Sequence, residues 1–239
     1  MHLSMVPMRN NFLNAAFFFV CLLASIIQAK GQTKEELRAS LKQATERLAF
    51  HPDSVELRLE KASFNMLLEQ YNYAKEEYDY LLQRNPNLFA AHFFRAYANE
   101  KMGRYSFARI DYEQAIMLQP DHFEAKLGLA ILLNKMKHYT EAMDRINQLL
   151  QQYPEKAEAY ATRAGFEKER EYWELALYDF TIATQLDPNN KDYHINRLEL
   201  LYRLNQQSEI PAEEKALRSL GIPKPAIDQI KEQAKHRRS

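Results

Sequence analysis

The side chains of this 239-residue chain that could do chemistry are numerous but badly placed for catalysis. His51, His92, His122, His138, His194 and His236 are scattered, and no two stand four residues apart. A helical zinc site would need that spacing. The glycines Gly31, Gly103, Gly128, Gly165 and Gly221 lie far from one another, so no phosphate-cradling loop can be built from them. The single cysteine, Cys21, sits in an apolar N-terminal run, which leaves the rest of the chain without a thiol nucleophile, a thiolate zinc site or a disulfide. The acidic run Glu167, Glu169, Glu171 and Glu174 alternates with Lys168 and Arg170, the pattern of a solvated helix end rather than of an acid/base pair. These residues predict no catalytic centre, no metal and no cofactor. Lys and Arg number 32, as do Asp and Glu, for a formal net charge of zero. That balance gives no argument for nucleic acid or for an anionic membrane surface. The basic end, Lys235 to Arg238, reads as a frayed terminus.

One set of charges does keep a fixed spacing. Lys61, Arg95 and Arg163 precede Glu77, Asp111 and Asp179 by sixteen residues each. An ion pair is expected within each set, contributing about 0.2–1 kcal/mol if exposed. Leu129 and Arg145 break the series. The series belongs to a longer period. Pro52, Pro86, Pro120, Pro154 and Pro188 follow one another at intervals of 34 residues. In the same frame recur Ala62, Ala96, Ala130 and Ala164, then Ala74, Ala108, Ala142 and Ala176. Tyr71, Tyr105, Tyr139 and Trp173 form another column, and Tyr78, Tyr112, Ile146 and Phe180 a fourth. A fixed period of this length signals a repeat architecture.

Each unit contains two runs with apolar residues at helical spacing, broken near Gly103, His138 or Glu171. The alanine columns let two helix backbones approach, and the aromatics opening the second helix are expected to fill the space where the pair diverges. Proline ends the second helix, because it cannot continue the hydrogen-bond ladder and restricts the residue before it. Asp53, Asn87, Asp121 and Asn189 follow the prolines and are expected to cap the next helix.

These columns resemble the tetratricopeptide repeat, a helix–turn–helix unit of 34 residues. The resemblance covers 55–190 as four repeats, 55–88, 89–122, 123–156 and 157–190. It implies an all-α, right-handed superhelical solenoid. The chain departs from the family pattern early in the first helix, where tryptophan and leucine are common. There it has Arg58, His92, Lys126 and Tyr160, followed by Lys61, Arg95, Leu129 and Arg163.

Residues 1–29 carry Arg9 and then a mostly apolar stretch from Phe12 to Ile27, with small residues Ala29 and Gly31 beyond it. That layout predicts a secretory signal peptide cut after Ala29 or Gly31. The apolar core falls short of the roughly 18 residues that a spanning helix needs, so no stable membrane insertion is expected after cleavage. Thr33 and Glu36 fit a capping box opening an N-terminal capping helix over 33–51. After Asn190 the pattern decays into a divergent fifth repeat and C-terminal capping helices over 191–239. Pro211 starts one of these helices and Gly221 ends it.

In the family that the columns resemble, the first helices line a concave face. On that face the resemblance places Leu59, Phe93 and Leu127 in one column, Tyr97 and Ile131 in the next, and Met66 in a third. The expected function is therefore a non-catalytic scaffold or adaptor. It would hold a peptide or helix of a cell-envelope partner in the groove, and the localisation would be exported, in the periplasm or secreted. Alternatives are a small-ligand or glycan-binding module using groove tyrosines, and an enzyme with an unrecognised site.

Overall fold

The structure, a computed structural model, describes residues 33–236. The expected signal peptide lies outside these residues. Among the described residues there are twelve α-helices and no strand. They are α1 (Lys34–Phe50), α2 (Val55–Leu67), α3 (Tyr71–Arg84), α4 (Phe89–Lys101), α5 (Tyr105–Leu118) and α6 (Phe123–Lys135). Then follow α7 (Tyr139–Gln152), α8 (Ala157–Glu169), α9 (Trp173–Leu186), α10 (Lys191–Arg203), α11 (Ile210–Ser219) and α12 (Lys224–His236). None is long and apolar enough to cross a membrane.

The chain divides into two compact units, one ending at Gly128 and the other beginning at Leu129. In the first unit α1 packs on α2, α2 on α3, α3 on α4 and α4 on α5. In the second α7 packs on α8, α8 on α9 and α9 on α10, and α10 carries both α11 and α12. Sequence neighbours are space neighbours throughout each unit, which is the packing of a repeat fold. The alanine columns are its closest seams. Ala62, Ala74, Ala96 and Ala108 in the first unit are fully buried, and so are Ala130, Ala142, Ala164 and Ala176 in the second. Tyr78, Tyr112, Ile146 and Phe180 fill the core beside them. Tyr105 and Tyr139 do not, being more than a third exposed; they open their helices at the surface instead of filling the pair.

The turns inside each helix pair share one geometry. Glu69, Gly103, Lys137, Glu171 and Asn205 all take a φ between +59° and +72°. The residue after each donates its N–H to the carbonyl five positions before it, as in Arg104 N to Asn99 O (2.8 Å) and Tyr172 N to Glu167 O (2.9 Å). This is the Schellman ending, with the left-handed residue just past the helix. Only Gly103 in this series is glycine, so the other four hold a side chain in a conformation that disfavours one.

The caps differ from expectation by one residue. Ser54, not Asp53, accepts the Leu57 N–H at 3.3 Å, and Asn190, not Asn189, caps α10. His122, not Asp121, accepts the Ala125 N–H through Nδ1 (3.2 Å). The residue two past each proline is the one that reaches the helix N-terminus. Leu88 and Lys156 occupy the same place and offer no side-chain cap. Asp53 instead accepts from the Tyr80 hydroxyl at 2.8 Å.

Candidate functional site

Two surfaces of the first unit combine polar groups with exposed rings, and both are built on α4. On one face of α4 an aromatic cluster rises from the core to solvent. Phe93 stacks on Phe89 with 5.8 Å between centroids and meets Phe94, Tyr112 and His122 at 5.0, 6.2 and 5.3 Å. Burial pushes the His122 imidazole below its usual pKa, with Glu124 opposing, and this favours the neutral ring that caps α6. One turn on from Phe93, Tyr97 is 42% exposed. The Lys101 ammonium lies 5.0 Å from its ring centroid, and its hydrogen bond to Tyr97 raises the lysine's pKa. Gly128 backs this cluster. A Cβ there would stand 2.7 Å from the Tyr112 ring, so only glycine lets α6 approach so closely.

The six expected groove residues fall in different surroundings. Tyr97 is exposed, and Phe93 and Met66 are half-buried. Ile131 is half-buried too and belongs to the second unit. Leu59 and Leu127 are buried, which departs from the expectation for them. Leu59 packs with Ala62, Ala74 and Tyr78 in the core, because its turn of α2 faces α3.

The sixteen-residue spacing does bring its charges together. Lys61 Nζ meets Glu77 Oε1 at 2.5 Å, Arg95 forms two hydrogen bonds with Asp111 at 2.6 and 2.9 Å, and Arg163 two with Asp179 at 2.6 and 2.8 Å. These are not exposed pairs: Asp111 and Asp179 are 2% and 1% exposed. A fourth pair, Arg197 with Glu213, has the same spacing in the C-terminal region, where sequence reasoning saw only decay. Each arginine also reaches sixteen residues backward, Arg95 to Asp79, Arg163 to Asn147 and Arg197 to Thr181. Arginine suits this role, since its planar fork can serve two acceptors at once.

Residues 99–165 match the model of the tetratricopeptide repeat. No curated protein matches the chain. Among solved structures, a tetratricopeptide repeat protein from Parabacteroides merdae is 20% identical, with 95% of this chain and 86% of that chain covered and a TM-score of 0.68. Residues 99–165 therefore carry tetratricopeptide repeats. MamA from Desulfovibrio magneticus is similar at 19% identity, with 71% and 96% covered and a TM-score of 0.59. YrrB, described as a tetratricopeptide repeat protein with an unusual peptide-binding site, is 14% identical, with 81% and 97% covered and a TM-score of 0.56.

Three of the positions that depart from the repeat pattern early in the first helix, Arg58, His92 and His194, share one arrangement. Arg58 bridges Glu77 (2.7 Å) and the carbonyl of Pro52 (2.7 Å). His92 lies between Asp111 (3.1 Å) and the carbonyl of Pro86 (2.9 Å), and His194 between Glu213 (2.6 Å) and the carbonyl of Pro188 (3.0 Å). A side chain early in the first helix thus ties the inter-repeat turn to a buried carboxylate. Sequence reasoning noted these residues only as departures. Their nineteen-residue spacing to Glu77, Asp111 and Glu213 was the signal available to find them. Among the described residues no group of three His, Cys, Asp or Glu could hold a metal ion.

Proposed function

We propose that this protein is an exported interaction scaffold that holds a peptide or helix of a cell-envelope partner, with the periplasm as its working compartment. The observation that carries the reading is Tyr97. It is a large ring left 42% exposed on α4, beside Lys101 and one turn beyond the half-buried Phe93. Such a ring offers apolar area with a polar edge, which suits it to anchor a polypeptide. The fold supports the reading, and so does the peptide-binding site in the description of YrrB.

The test pairs binding with folding. Tyr97→Ala and Phe93→Ala are compared with the unsubstituted protein for capture of partners from envelope extract, then by calorimetry with the captured partner. Loss of about 2 kcal/mol of binding for Tyr97→Ala is expected. Its melting by circular dichroism stays near the parent, whereas Tyr112→Ala, which removes a buried ring, lowers the melting temperature strongly. Full-strength binding by both groove variants rejects this surface.

A further inference from the structure

The other face of α4 carries a second feature that this reading does not use. Asn99 stands two residues beyond Tyr97, about 200° further around the helix. It forms the floor of a groove of about 420 Å³ between α3 and α5. Lys75 and Asp79 line one side of the groove, Arg104, Phe107 and Ile110 the other, and Arg95 and Asp111 the floor. Most of the charge here is already matched within the protein. Asp79 accepts from Lys75 (2.5 Å) and Arg95 (2.8 Å), and Asp111 accepts from Arg95, His92 and the Asn99 amide (3.2 Å).

Three groups are left unmatched. Asn99 is 2% exposed and its Oδ1 has no hydrogen-bond partner. Arg104 is exposed at the rim, and its guanidinium makes no hydrogen bond or ion pair with the described residues. Phe107 and Ile110 are 63% and 56% exposed. A buried acceptor without a donor is costly unless something supplies one. Part of the arrangement recurs in the second unit, where Tyr172 stands at the position of Arg104. Glu167, at the repeat position of Asn99, has an unpartnered buried Oε2, and Leu175 and Tyr178, at the positions of Phe107 and Ile110, are likewise exposed.

We propose that the groove between α3 and α5 binds an acidic peptide segment, one with an apolar side chain next to a carboxylate. The apolar side chain covers Phe107 and Ile110. The carboxylate pairs with Arg104, for which a fork-to-carboxylate geometry is well suited. A peptide N–H, which an extended backbone presents beside every side chain, supplies the donor that Asn99 Oδ1 lacks. The site is distinct from the Tyr97 surface, so either can fail without the other.

The experiment uses the chain expressed without residues 1–29 and two blocked peptides, acetyl-Gly-Leu-Glu-Gly-amide and its Leu-Gln counterpart. Binding is followed by two-dimensional NMR of backbone amides and of the Asn99 side-chain amide. Saturable shifts at Arg104, Phe107 and the Asn99 amide are expected, with the Glu peptide at least five-fold tighter than the Gln peptide. Arg104→Gln should abolish that preference, and Phe107→Ser should weaken both peptides at least three-fold. Both residues are exposed, so the fold is retained, which unchanged distant resonances verify. Equal binding of the two peptides, or shifts confined to Tyr97 and its neighbours, overturns the proposal.

Discussion

A carboxylate buried at full charge is held in place by its partners, and Asp111 shows the balance. Burial pushes its pKa up, but hydrogen bonds from His92 and Arg95 outweigh that and hold it below the usual carboxylate range. Its folded pKa being depressed, its contribution to stability is present at neutral pH and is lost as pH falls through that folded value. Asp111→Ala strands Arg95 and His92, and a loss of about 3–5 kcal/mol in denaturant titration is expected. Glu167 has the opposite sign. Burial first, and the charge of Asp179 second, raise its pKa from 4.5 to about 7, against the weaker opposition of Arg163 and Arg170. The folded state therefore binds this proton more tightly than the unfolded chain does. Stability from this group is greatest below pH 4.5 and declines as pH rises through 7, by roughly 3 kcal/mol in all. Glu167→Gln should remove that decline and raise the melting temperature at pH 8, while changing little at pH 5. A parallel fall in both proteins between pH 5 and pH 8 refutes this account.

The helices have their own test in the turns that join them. Gly103 takes a φ of +72°, and Lys137 takes +63° at the same repeat position. Gly103→Ala should destabilise by about 1 kcal/mol, and Lys137→Gly should be neutral or mildly stabilising. Equal losses from both would mean that the turn conformation is not what is being perturbed. A second test lies at Gly128. Gly128→Ala drives a Cβ into the Tyr112 ring, and a cost of about 1–3 kcal/mol is expected. Tyr112→Leu in the same chain should recover part of it. At this scale much was readable in advance, because the alanine and proline columns state helix pairing and helix ends directly. The caps were misread by one residue because aspartate and asparagine are equally good caps at Asp53 and Ser54 or at Asn189 and Asn190 by type alone. The fifth repeat was read as decayed because its proline and alanine columns are gone. Yet Arg197 still meets Glu213: α11 has given up its first turn without any residue being inserted before Glu213. The groove residues were the least readable. Periodicity shows that Leu59 and Tyr97 lie on helices, but whether a ring ends up covered depends on neighbours that no single sequence column reveals.

For the whole molecule, the proposed export has the largest consequence. If residues 1–29 direct secretion as proposed, mass measurement of the exported protein should place its N-terminus at Lys30 or Gln32. A full-length chain retained in the membrane rejects the proposal. No cysteine lies outside that segment, so a reducing agent should leave the melting of the mature protein unchanged.

The arginine braces also bear on how such a chain can lengthen. Arg95, Arg163 and Arg197 each bond both to their own repeat and to the one before it. A duplication or graft that cuts the chain on either side of these residues must sever a brace unless the inserted piece restores the same register. Growth is therefore quantised in whole repeats, and a stray single-residue insertion within a helix pair should be purged by selection. Leu129 is the exception, since an aliphatic side chain can form neither brace. A repeat spliced in just before Phe123 should accordingly be tolerated better than one spliced in before Phe89 or Lys191. The third repeat is therefore the natural seam at which a further repeat could be grafted.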